Sequence, residues 1–210
     1  MGQALTNDYI PNLAVVERFP FSLYHRPIRE HALGVIREEG LGRELDLLNV
    51  GCGFSQILTH LPSRHRYTGV DVDPRTLEVC RTRFPHARFE TCESYSLPFP
   101  SESFDVVFAT EVIEHVLDTR AWLAELLRVL RPGGRLQLST PNYGDLWLPL
   151  IEMTFLELVA RRQGFTRRGI HPVKFSRRKL LATLRSAGLY DVQIRKTFLW
   201  LALVAAARKP

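Results

Sequence analysis

The sequence predicts an α/β fold, and three observations support that reading. Residues 47–74 read LLNVGCGFSQILTHLPSRHRYTGVDVDP. An apolar run meets a Gly51-Cys52-Gly53 turn, an amphipathic stretch follows, and a second short run, Tyr67 to Val70, stops on Asp71. That order is strand, tight turn, helix, strand, acidic residue, which is half of a nucleotide-binding βαβ unit. Further on, Phe104 to Ala109 (FDVVFA) is an almost continuous apolar run, the pattern of a strand buried on both faces of a parallel sheet. Two strand-like runs, Asp191 to Leu199 and Leu201 to Arg208, close the chain as an antiparallel pair.

Charge and spacing narrow the ligand at the glycine turn. A dinucleotide site wants G-x-G-x-x-G, whose third glycine lets helix and strand close up beneath a pyrophosphate. Here that position is Gln56, so the fingerprint fails. Asp71, Asp73 and Glu93 suit a ligand without phosphates. S-adenosylmethionine (SAM), with its sulfonium, amine and carboxylate, is such a ligand. Glycines let the backbone reverse there and leave no Cβ between turn and ligand.

The 210 residues fit one domain with a good core. Cys52, Cys80 and Cys92, odd in number and without C-x-x-C spacing, argue against a disulfide framework or a zinc site and suit a reducing cytoplasm. No run reaches the roughly 18 consecutive apolar residues of a membrane span. Net charge is +6, and the cations concentrate from Arg161 to Lys179, where no carboxylate occurs. That cluster either keeps the protein soluble or touches an acidic substrate or an anionic membrane face. Nucleic acid is not expected, because no aromatics interleave with the basic residues on an evident strand face.

In order along the chain, residues 1–21 carry prolines and scattered aromatics without periodicity and form a surface arm. Arg26 to Glu39 is a helix, with Ile28, Ala32, Val35 and Ile36 at helical spacing and Pro27 suited to the first turn. Tyr24 and His25 either reach the site or pack this helix on the sheet. Ile57, Leu58 and Leu61 place a helix after the glycine turn, and Pro74 to Phe84 is a second one with Leu77 and Cys80 inward. Ala87 to Thr91 is a third strand, ending near Glu93. Asp118 to Val129 is an amphipathic helix stopped by Leu130-Arg131-Pro132-Gly133-Gly134. Arg135 to Thr140 is a fifth strand that delivers Asn142, Tyr143 and Asp145 to its ligand-facing end. Trp147 to Val159 is apolar on most of its surface. It is a lid packed on the core, a cover for a greasy substrate, or a peripheral membrane contact extending through 146–179. Ser176 caps a last helix, to Ala187, that stops at Gly188.

Ligands in open α/β sheets bind at the carboxyl ends of strands, so Thr110, Glu111 and the next turn flank the reaction. Glu111, Glu114 and His115 share the i, i+3, i+4 spacing of one helical turn. They hold a divalent cation that acidifies a hydroxyl, or the carboxylates orient His115 as the base, or they line the pocket without chemistry. His171 is a second candidate base.

Residues 47–74 together with TCESYSLPFPSESFDVVFATEVIEHV (Thr91 to Val116) and LRVLRPGGRLQLSTPN (Leu127 to Asn142) resemble class I SAM-dependent methyltransferases, in that family's order and approximate spacing. The nearest branch is the small-molecule one (methyltransferase type 11) that includes ubiquinone-pathway O-methyltransferases, whose E-x-x-E-H pattern this chain shares. The resemblance implies a Rossmann-like seven-stranded sheet, strands one to five parallel with a closing antiparallel hairpin, and helices on both faces. It implies one domain: arm and cap helix 1–40, SAM-binding core 41–142, substrate-side insertion 143–188, closing strands 189–210. SAM would be held by Asn49, Gly51, Cys52, Gly53, Asp71, Val72, Glu93, Ser94 and Thr110, with Glu93 on the adenine amino group. The implied reaction is O-methylation of a small, fairly apolar hydroxylated molecule. His115, with Glu111, or else His171, would act in catalysis, and Glu111, Glu114 and His115 are the candidate metal ligands. No N/D-P-P-Y/F follows the fourth strand, which turns the expectation away from amide and adenine N-methylation. Asn49 replaces the family's usual acidic residue and offers the methionine amine no charge; Ser55 replaces a further glycine. The alternatives are N- or C-methylation of a small molecule and a SAM-binding protein without transferase activity.

Overall fold

The computed structural model describes residues 22–93, 95–151, 171–197 and 199–210. Expectations placed on the arm, on Ser94, on residues 152–159 of the apolar stretch and on Arg161, Arg162, Arg167 and Arg168 lie outside the described residues. The chain forms α1 (Ser22–Glu39), β1 (Asp46–Val50), β2 (Arg66–Asp71), α2 (Pro74–Arg83), β3 (Arg88–Thr91) and β4 (Phe104–Thr110). Then follow α3 (Thr119–Val129), β5 (Leu130–Pro141), α4 (Trp147–Ile151), α5 (Arg177–Ser186), β6 (Tyr190–Thr197) and β7 (Ala202–Arg208).

One seven-stranded sheet runs β3-β2-β1-β4-β5-β7-β6. Strands β1 to β5 are parallel, and β7 lies antiparallel between β5 and β6. Strand order reverses between β1 and β4, which puts a crevice at their carboxyl ends. Alternation along the strands sends side chains to opposite faces. Leu47, Val106 and Phe108 pack under α1 and α2 through Ala32, Leu33, Ile36, Leu77 and Cys80. Leu48, Val50, Val107 and Ala109 pack under α3 and α5 through Trp122, Leu126, Leu180 and Leu184. The sheet is therefore covered on both sides, as its apolar runs require.

The caps follow the local sequence. Asp73 accepts from Arg75 N at 3.0 Å ahead of Pro74, Asp118 from Ala121 N at 2.9 Å, and Ser176 from Lys179 N at 3.2 Å. Three expectations are corrected. First, α1 begins at Ser22, so Pro27 sits inside the helix rather than in its first turn. Second, the helix expected after the glycine turn is only a 3-10 turn, Gln56–Thr59. Ser55 enters it in the left-handed region at φ 50°, and the turn ends before Leu61, the residue that precedes Pro62. Third, β5 starts at Leu130 instead of Arg135, because Gly133 N donates to Lys209 O at 2.9 Å and Lys209 N to Gly134 O at 3.0 Å.

The opposite, amino-terminal end of the sheet is closed by charge. Asp105 meets Arg43 at 3.0 Å and Arg131 at 2.8 Å, and accepts from Asp46 N at 2.8 Å. Burial pushes the Asp105 carboxyl up, but these donors outweigh it and leave it below the usual range. The Arg66 hydrogen bond lowers Asp46 likewise. A depressed native carboxyl stabilises the fold above the unfolded pKa of about 3.9, and that contribution disappears as pH falls through the lower native value. Asp105→Asn is expected to cost about 1 kcal/mol at neutral pH, discounted for the half-exposed guanidiniums, or ~2–4 °C in Tm. Its Tm should also decline less steeply than wild type below pH ~4, measured by calorimetry across acid pH.

Candidate active site at the carboxyl ends of the parallel strands

The glycine turn leaves β1 with Gly51 at φ 67° and Gly53 at φ 49°. Cys52 N donates to Val70 O and Gly53 N to Asp71 Oδ2, both at 2.9 Å. Asp71 Oδ1 takes Asp73 N at 3.1 Å. One carboxylate thus staples the turn after β1 to the loop after β2. Gly51 is required for a reason that spacing did not reveal: a Cβ there would stand 2.5 Å from Val112 Cγ2. At Gly53 nothing lies within 4 Å of such a Cβ, so the turn is open to a ligand on that side.

Asn49 is buried, and its Nδ2 donates to Tyr67 OH at 2.8 Å, which donates to Ser55 Oγ at 3.0 Å. Asn49 Oδ1 is buried without a hydrogen-bond partner. An orphaned acceptor two residues before the turn suits a ligand that brings a donor, such as an ammonium. Cys52 is buried and its thiol is pushed up by burial, so it offers backbone rather than a nucleophile. Val72 and Glu93 are exposed after β2 and β3, and Glu93 bridges to Ser96. Cys92 N bonds to Asp71 O at 3.2 Å, which sets the two strand ends side by side. Ser94 lies outside the described residues.

Beyond Thr110 at the end of β4, the structure corrects the expected helical turn. Glu111 has left-handed backbone, φ 58°, and precedes a 3-10 turn, Ile113–His115. It therefore does not share a helix face with Glu114 and His115. Instead Glu111 accepts from Tyr24 OH at 2.7 Å and Ser139 Oγ at 2.8 Å. Burial raises its carboxyl, and these two donors work against that rise. Burial and the facing Glu111 carboxylate together push the Tyr24 hydroxyl up. So Tyr24 reaches the site, and α1 covers it. Ser139 was missed; polar Gln137, Ser139 and Thr140 within the buried stretch of β5 were its available signal.

Glu114 is 0% exposed, and neither carboxylate oxygen has a hydrogen-bond partner. Burial first, and Glu111 second, raise its carboxyl strongly. The neighbouring Thr140 hydroxyl is also unpaired, the two groups standing close without normal hydrogen-bond geometry. Glu114 O accepts from Val173 N at 3.1 Å, which draws the 171–175 segment over the site. His115 and His171 rings stand 5.1 Å apart, and Tyr143 OH meets His171 Nδ1 at 2.6 Å. Among the described residues, Glu114, His115 and His171 each place a ligand atom within 4.8 Å of the others. Of the candidate metal ligands, Glu114 and His115 are in this group and Glu111 is not, while His171 is.

A doubly wound sheet with five parallel strands and a closing antiparallel hairpin, and an acidic residue at the end of β2 stapled to a glycine turn, make up the Rossmann-like methyltransferase fold. Residues 48–138 match the family described as Methyltransferase domain. A phthiotriol/phenolphthiotriol dimycocerosates methyltransferase of Mycobacterium tuberculosis is 36% identical over 154 residues, 70% of this chain and 54% of that protein. An O-methyltransferase of Penicillium expansum is 28% identical over 141 residues, 57% of this chain and 51% of that one. The crystal structure of a SAM dependent methyltransferase from Aquifex aeolicus shares the fold at TM-score 0.65 and 17% identity, over 97% of this chain and 98% of that one. The chain spans about half the length of these curated relatives. Residues 48–138 thus carry the sequence pattern of a methyltransferase domain, and the fold is that of the SAM-dependent methyltransferases.

Proposed function

We propose that the protein transfers the methyl group of SAM to a hydroxyl oxygen of a small, fairly apolar molecule. The observation that supports this most is the Asp71 carboxylate on Gly53 N, which joins the two halves of the nucleoside-binding motif at one crevice. Bound there, SAM supplies a methyl group on a positively charged sulfur. Asp71 has lone pairs beyond its two backbone bonds to accept ribose hydroxyls, Glu93 takes the adenine amino group, and Asn49 Oδ1 takes the amine. His115 removes the acceptor's proton, and His171, held by Tyr143, stands beside it as the second base. A thioether leaves without acid assistance, so alignment and exclusion of water carry most of the catalysis. The O-methyltransferase name of one relative and the triol in the name of another support oxygen as acceptor.

Calorimetry with SAM and S-adenosylhomocysteine, paired with a methyl-transfer screen on hydroxylated apolar acceptors, tests this. His115→Ala is expected to lower kcat by roughly 10²–10⁴-fold with product-cofactor affinity unchanged. Binding without turnover on any acceptor would instead favour a non-catalytic SAM-binding role. Failure to bind either cofactor form sinks both readings.

The unpartnered Glu114 oxygens favour a second reading of the same site. Glu114, His115 and His171 fit a divalent cation, which when bound would acidify a substrate hydroxyl. Turnover that persists in excess EDTA removes it.

A further inference from the structure

Two neighbouring loops at the site end of the sheet carry large apolar side chains into solvent. Leu146 is 88% exposed, Leu150 54%, Leu199 77% and Trp200 62%. Leu146 and Leu150 lie one helical turn apart, joined by a Leu150 N to Leu146 O bond of 3.1 Å, and so share a face. Asn142 stitches their loop to the β6–β7 hairpin, donating to Asp145 and to Trp200 O, both at 2.7 Å. Lys196 reinforces the link, 2.8 Å from Asp145 and 5.7 Å above the Trp200 ring. The four apolar side chains therefore belong to one end of the molecule.

The hairpin tip works against stability. Leu199 and Trp200 both adopt left-handed backbone, φ 51° and 67°. Consecutive left-handed residues are the geometry for which Asn-Gly is favoured, and bulky side chains there are strained. Selection for stability or solubility alone favours a polar, flexible pair at this tip.

Positive charge borders the same end. The 174–176 segment lies against residues 142–144, with Tyr143 N on Phe175 O at 2.8 Å and Lys174 Nζ 5.1 Å above the Tyr143 ring. Lys174 and, in the first turn of α5, Arg177, Arg178 and Lys179 stand at this end with no carboxylate between them in the sequence, and all four are exposed. Leucine and tryptophan settle at the headgroup–acyl boundary, and cations beside them pair with anionic headgroups. A second copy of this chain fits poorly, because a two-fold contact would bring these cations face to face.

We infer that the face formed by Leu146, Leu150, Leu199 and Trp200 docks on an anionic bilayer surface. Docking does not depend on methyl transfer, and it turns the end of the sheet that bears His171 and Tyr143 toward the lipid. The test is co-sedimentation of the full chain with phosphatidylcholine vesicles, with and without phosphatidylserine. The chain is expected to pellet with the phosphatidylserine vesicles and to be released by salt. A Leu199→Asn, Trp200→Gly double variant is expected to lose this binding by roughly tenfold or more. It should keep its S-adenosylhomocysteine affinity and melt no lower than wild type, since the turn strain is relieved. Leu146→Gln with Leu150→Gln, on the other loop, is expected to lose binding as well. The inference is overturned if the wild type ignores phosphatidylserine vesicles, binds pure phosphatidylcholine equally, or is matched by both variants. A wild-type dimer that the variants abolish, with no vesicle binding, would assign the face to a second copy and overturn it too.

Discussion

Asp71→Ala is expected to weaken S-adenosylhomocysteine binding by roughly 10²–10³-fold, from two losses at one carboxylate. Charge-assisted hydrogen bonds to a ribose are worth about 1.5–3 kcal/mol each. The same oxygens hold Gly53 N at 2.9 Å and Asp73 N at 3.1 Å, so the turn loses its staple as well. Asp71→Asn separates the contributions. Its amide oxygen can still take Gly53 N but carries no charge, so an intermediate loss is expected. The strand itself should survive, because β2 is held by its ladders to β1 and β3 and not by this side chain. Calorimetry, with a melting curve to confirm the fold, decides it. Affinity for the alanine variant within about threefold of wild type would remove Asp71 from the cofactor site.

The parts of the fold that were legible in the sequence are those written in local pattern. Apolar runs at Leu47–Val50 and Phe104–Ala109 gave buried parallel strands, and Asp118 and Ser176 stand at helix caps. What spacing could not reveal was decided by partners distant along the chain. Glu111 read as the first residue of a helical turn, yet the Ser139 backbone and hydroxyl hold it at the strand end, where it faces Tyr24. The Gly133-Gly134 pair read as a stop, but residues 208 and 209 turn it into strand. Ile57, Leu58 and Leu61 fit helical spacing, although that spacing is also met by one short turn. Gly51 reads as a turn residue facing the ligand, and its φ of 67° and the Val112 side chain each add a local reason for glycine there. His171 was a loop histidine with no evident neighbour, and the Val173 N to Glu114 O bond is what brings its segment to His115.

Glu114→Gln is expected to stabilise the protein while impairing turnover. In metal-free buffer a gain of about 1–3 kcal/mol is expected, roughly 3–10 °C in Tm. Folding takes this carboxyl out of water completely and gives neither oxygen a partner, with Glu111 nearby. The chain must either draw a proton onto it or bury an unopposed charge, and both cost free energy. Glutamine keeps the shape, removes the charge, and brings an amide that can donate toward the unpaired Thr140 hydroxyl. A buried group retained against stability beside two histidines is what a working site leaves behind. Turnover should therefore fall by at least about tenfold, through lost alignment of His115 and His171 or lost cation binding. A lower Tm would show that Glu114 is structurally paired and would sink this account. The comparison with Asp105→Asn sharpens it, since the same carboxyl-to-amide change is expected to destabilise there. Asp105 is met by two guanidiniums and a backbone N–H, whereas Glu114 faces another carboxylate and an unpaired hydroxyl, with the His115 and His171 rings within 4.8 Å. The sign of each change is set by those neighbours rather than by the residue type.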